Sequence, residues 1–79
     1  MEIQSILFDK NNWSSVTANR FLLKNSYLLS GDYELFPDIT KNKLRYRQRD
    51  PGEFVHGSFR TFRIKEKPTI SVIVGKPLA

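Results

Sequence analysis

Seventy-nine residues without a cysteine make one domain, and they exclude disulfide staples and thiolate metal sites. Nothing approaches the roughly 20 consecutive apolar residues of a membrane span, and the start, with Glu2 and Asp9 around a short apolar-leaning segment, lacks the basic opening and longer apolar run of a secretory signal. The net charge of +5 is unevenly held: residues 1–40 carry three Lys and Arg against five Asp and Glu, whereas residues 41–67 carry nine against three.

Residues 3–8, Ile-Gln-Ser-Ile-Leu-Phe, read as a first strand stopped by Asp9-Lys10-Asn11-Asn12. A helix of about three turns follows. Ser14 supplies the N-cap hydroxyl, Trp13 and Ala18 take the spacing of a hydrophobic staple, and Ala18, Phe21 and Leu22 form one apolar stripe. Lys24 suits the negative end of the helix dipole, and Asn25-Ser26 is the stop. Residues 26–40 read as a loop with partial strand character at Tyr27-Leu28-Leu29 and Tyr33 to Phe36. Ser30-Gly31-Asp32 is a turn signal, and Pro37-Asp38 is expected to break any regular element.

Residues 41–49, Lys-Asn-Lys-Leu-Arg-Tyr-Arg-Gln-Arg, are basic at every odd position. Successive strand side chains point to opposite faces, so this period predicts a strand with Leu44 and Tyr46 inward and five cations outward. Asp50-Pro51-Gly52 ends it in a turn. Strands are also predicted at 58–65 and at 70–74, the latter rich in β-branched residues. The connection Glu66-Lys67-Pro68-Thr69 is of hairpin length, which makes those two antiparallel neighbours. The order β-α-β-β-β predicts an α+β domain spanning 1–79, with one helix packed on a mostly antiparallel sheet of three to four strands.

Lys41, Lys43, Arg45, Arg47 and Arg49 would lie along roughly 27 Å of one strand face, at 6.5–7 Å per alternate residue. Such a row meets the phosphates of a polyanion, and the planar guanidinium fork suits their oxygens. Arg63 and Lys65 on the neighbouring strand would extend the patch. The competing readings are a solvated face and an edge strand whose cations block edge pairing. Solvated faces usually interleave both signs, and this one has no carboxylate before Asp50.

Tyr46, Phe54, Phe59 and Phe62 lie among these cations. Aromatics on a basic sheet can stack on unpaired bases, while a domain this small also needs them to fill its interior; exposure discriminates. His56 is the only histidine, in a Val-His-Gly-Ser loop, and reads as polar surface. A Ser58–His56 catalytic pair would also need an orienting acid and an oxyanion site. No phosphate-cradling glycine loop is present. A non-enzymatic protein without cofactor or metal is expected.

The combination of Ser5-Ile-Leu-Phe8, Trp13 opening a helix with Ala18, Phe21 and Leu22, Arg45-Tyr-Arg-Gln-Arg-Asp-Pro51, Phe54, Ser58-Phe-Arg-Thr61 and an apolar Ile70–Val74 before Gly75 resembles a small domain that recurs in tailed-phage and large DNA virus proteins. That domain sometimes sits beside or ahead of a head-maturation protease module. The match covers most of the chain and is weakest at 27–40. The resemblance implies a viral or prophage setting and brings no catalytic residue; Arg45, Arg47, Gln48, Pro51, Phe59, Arg60 and Thr61 fall on its pattern positions.

Two functions are therefore expected to compete. One is a nucleic-acid-binding protein, DNA-binding or RNA-binding, that contacts phosphates through the basic strand face. The other is a protein-interaction module, either a minor virion component or an inhibitor of a host protein, with homo-oligomerisation as a further partner class. The expected location is intracellular, in host cytoplasm or nucleus, or within the virion, without membrane association.

Overall fold

A computed structural model describes residues 1–27 and 38–78. Strand β1 (Glu2–Asp9) leads into helix α1 (Ser15–Lys24), and β2 (Asp38–Ile39), β3 (Lys43–Arg47), β4 (Arg60–Arg63) and β5 (Ile70–Gly75) follow. The domain is α+β: one helix on a four-strand antiparallel sheet in the order β3-β1-β5-β4, with the two-residue β2 added beside β3. β4 and β5 are antiparallel neighbours, as their short connection predicts. The turn and strand character expected at 28–36 lies outside the described residues.

The helix begins where its sequence dictates. Ser14 Oγ accepts the Thr17 amide at 3.2 Å, and Thr17 Oγ1 accepts the Ser14 amide at 3.0 Å, so two donors left over by the first turn are satisfied reciprocally. It ends in a left-handed residue. Ser26 has φ 62°, and the amides of Tyr27 and Ser26 reach back to the carbonyls of Leu22 and Leu23. That is the position where glycine is preferred, because a Cβ is penalised there. Ser26→Gly should therefore stabilise the domain by about 0.5–1 kcal/mol, read as a higher thermal midpoint in circular dichroism.

The helix stripe buries Ala18 and Leu22 against Ile6 and Phe8 of β1, Leu44 and Tyr46 of β3, and Ile70 of β5. Phe8 is wholly buried and meets three rings edge-on: Trp13 at 5.0 Å, Tyr46 at 5.5 Å and Phe21 at 5.8 Å between centroids. Trp13 also spans the domain, its indole N–H donating to Thr69 Oγ1 at 2.9 Å. Burial pushes the Tyr46 phenol above its ordinary pKa, consistent with a neutral core residue.

β3 is shorter than the predicted 41–49 for two local reasons. At its start the Thr40 hydroxyl accepts the Lys43 amide at 3.0 Å, folding Lys41 and Asn42 into a bend. At its end the Gln4 carbonyl takes the amides of both Gln48 and Arg49, at 2.7 and 3.3 Å, which stops the regular ladder. Gln4 is the extra residue of a β-bulge, since Ile3 pairs with Val74 and Ser5 with Ile73. The bulge turns the Gln4 side chain away from the helix-side core and toward the opposite face of the sheet, where it meets Arg45 and Ser5.

Candidate nucleic-acid interface

Helix α1 covers one face of the sheet; on the other, Pro51 and the Phe54 and Phe59 rings pack at the Gly75 end of β5 and leave the rest of the face uncovered by any described element. Opposed residues of antiparallel strands share a face, so the register lays this open face out in rungs. Arg47, Ser5, Ile73 and Thr61 form one rung, and Arg45, Leu7, Ser71 and Arg63 the next. Lys43 and Asp9 form a third. Asp38 of β2 stands opposite Arg45 in the backbone register. Arginines thus rim both sides of a strip of small and neutral residues. Arg45 and Arg63 are three strand spacings apart, about 14 Å.

The predicted row of five outward cations is corrected by this geometry. Only Lys43, Arg45 and Arg47 lie on β3. Lys43 is half-buried and ion-paired with Asp9. Arg47 is exposed. Lys41 lies in the bend before the strand and Lys65 in the turn after β4, both exposed and at the same end of the sheet. Arg63 lies on this face too, but β4 is not the neighbour of β3 that the sequence led one to expect, because β1 and β5 lie between them.

Arg49 does not join it. Its guanidinium pairs with Glu2 and with Glu53, the latter at 3.2 Å, and lies 5.2 Å from the centre of the Phe54 ring. Glu53 also accepts the Asp50 amide at 3.1 Å, and Asp50 Oδ1 accepts from Gly52 at 2.8 Å, so Arg49 clamps a capped 3-10 turn to β1. Two ion pairs and a cation–π contact at a partly exposed site are worth about 1–2 kcal/mol together. Arg49→Gln should lower the thermal midpoint accordingly while leaving affinity for any polyanion within about twofold, since an engaged cation adds little to phosphate binding.

Arg45 is held in another way. Its Nε donates to Ser5 Oγ at 3.0 Å and its Nη2 to Gln4 Oε1 at 2.9 Å. Ser5 Oγ in turn donates to Gln4 Oε1 at 2.6 Å, and Gln4 Nε2 donates to the Arg49 carbonyl at 2.9 Å. Gln4 and Ser5 are 1% and 0% exposed, so this support is rigid. Both partners are neutral. Among the described side chains the guanidinium is oriented by neutral groups alone, and Nη1 meets no acceptor.

Sequence reasoning missed Gln4, Ser5 and Lys10. Lys10 is brought beside the start of β3 by its amide bond to the Asn42 carbonyl at 3.0 Å, and its ammonium reaches the Thr40 carbonyl at 3.2 Å. Nothing local in the sequence signals this pairing. Of the aromatics, Tyr46 and Phe54 are core, Phe59 is half-buried, and Phe62 is 56% exposed. Phe62 sits opposite Val72, a residue packed against the helix-side core, so it lies on the other side of the sheet from Arg45. His56 is exposed. Among the described residues no cluster of His, Asp and Glu could hold a metal, and no helix is long and apolar enough to cross a membrane.

Comparison with known proteins finds no matching family model, no matching curated protein and no matching solved structure.

Proposed function

We propose that this domain is a non-enzymatic nucleic-acid-binding module that holds phosphates on the open face of its sheet. The observation carrying this reading is Arg45. A half-buried guanidinium that serves only the fold is usually compensated by a carboxylate, because an uncompensated charge away from water is costly. Among the described side chains Arg45 is braced instead by a neutral amide and a hydroxyl, which leaves its charge for an external anion. Arg47 and Arg63 flank it on the same face, and Lys10, Lys41 and Lys65 continue the positive field at the end of the sheet. Contacts of this type position a backbone and carry no base code, so recognition is largely independent of sequence. The resemblance in sequence pattern favours a viral or prophage protein acting inside the host cell or within the virion.

The test is fluorescence anisotropy with labelled duplex DNA, single-stranded DNA and duplex RNA over a salt series. Four to six phosphate contacts predict a slope of log K against log salt of about −3 to −5. No binding at low salt, or a slope near zero, refutes the reading.

A second reading, a protein-interaction module, draws on β4. It is an edge strand exposed at all four residues, with Phe62 uncovered between arginines. Self-pairing is opposed there, because an antiparallel copy centred on β4 sets Arg60 against Arg63 of its mate, and like charges directly opposed are destabilising. A concentration-independent monomer in sedimentation is the expected result.

A further inference from the structure

A shallow concavity of about 270 Å³ opens on the open face beside Arg45, lined by Gln4, Arg45, Pro51, Phe59, Thr61 and Ile73. It is smaller than the roughly 300–1,000 Å³ of pockets that enclose a drug-sized ligand, so it suits one planar ring with its attached anionic group. Its chemistry is divided. Ile73, Pro51 and the half-buried Phe59 ring give apolar walls, Thr61 gives an exposed hydroxyl, and Arg45 gives a fixed cation at one side.

The wall is built by an absent Cβ. A methyl on Gly75 would come within 2.7 Å of Phe54 and 3.1 Å of Phe59, so only glycine lets both rings close on the end of β5. Phe59 then leans on Phe54 at 5.5 Å between centroids. The buried Gln4 and Ser5 fix the other side by holding the Nε–Nη2 edge of Arg45, which leaves Nη1 as the donor for a ligand.

We infer that this concavity is a subsite for one unpaired nucleotide, with its phosphate on Arg45 and its base against Phe59. The inference rests on the nucleic-acid reading above and adds substrate class to it. A base stacked and paired inside a duplex has no free face to offer, so single strands are preferred.

The test compares wild-type affinity for a thymidine oligomer with that for an abasic oligomer carrying the same number of phosphates. Stacking of one base predicts a preference of roughly 5- to 150-fold for the thymidine oligomer. Phe59→Leu should erase that preference and leave abasic affinity unchanged. Thr61→Met, which fills the concavity with a non-aromatic side chain from an exposed edge strand and spares the core, should do the same if Phe59→Leu fails to fold. Equal wild-type affinity for the two oligomers, or a preference that survives in both variants, overturns the subsite while the phosphate-binding reading stands. Binding to neither oligomer overturns both.

Discussion

Phe8→Ala lowers the thermal midpoint by roughly 12–40 °C, the largest stability loss expected of any single truncation in this domain. The cause is geometric. Phe8 is fully buried on the central part of the sheet and is the one ring that touches Trp13, Phe21 and Tyr46 together. Removing it loses the transfer free energy of the ring and leaves a cavity that three rigid aromatics cannot collapse into, about 3–5 kcal/mol. Domains of this size have only about 4–12 kcal/mol in total. Phe8→Leu, which keeps most of the volume, should cost much less. Thermal melts of both variants by circular dichroism decide the matter, and equal losses would show that the ring contacts, not the filled volume, carry the stability.

Replacing Arg45, Arg47 and Arg63 together with Gln has the largest expected effect on binding. These three reach the open face from both rims of the strip, so the variant removes three charges from one surface. Taking one cation away from a phosphate makes the salt slope shallower by about one. The triple variant should show a slope shallower by about 1–2, from Arg45 and Arg63, and an affinity lower by about 10- to 100-fold at low salt. Glutamine keeps a donor at position 45 for Gln4 and Ser5, so the fold should survive, and the melting curve checks this. The same number of charges removed at Arg49, Arg60 and Lys76 should have a much smaller effect. Arg49 is spent on Glu2 and Glu53, and Arg60, opposite Val74, lies with Phe62 on the other side of the sheet from Arg45.

Local rules made much of this fold legible. The Ser14 cap, the Ala18 and Leu22 stripe, the inward Leu44 and Tyr46 and the β4–β5 hairpin each depend on neighbours a few residues away, and each is found at its expected place. The misses are long-range. Period-two patterning cannot say where a strand stops, and 41–49 is trimmed at both ends by partners outside it or at its margin, the Thr40 hydroxyl and the Gln4 carbonyl. Arg49 reads as one more cation in a row until Glu2, 47 positions away, is placed beside it by the sheet. Gln4 reads as a polar residue in an apolar strand; only the bulge turns it into the support for Arg45. β2 escaped notice because two residues beside Pro37 carry no pattern of their own.

The same distinction explains the candidate site. Sequence located the basic segment but set β4 beside it, where β1 and β5 intervene, and charge alone does not separate a cation that closes the structure from one that is presented outward. Lys43 and Arg49 find carboxylates, whereas Arg45 finds neutral groups.

The most direct measurement is amide and arginine side-chain chemical-shift mapping by NMR as a short single-stranded oligonucleotide is added. Phosphate binding on the open face predicts perturbations confined to that face and its basic end: Ser5, Leu7, Arg45, Arg47, Thr61, Arg63 and Ile73, with the Arg45 guanidinium among the most affected. Perturbations centred on α1 or on Phe62, with Arg45 unmoved, would contradict it.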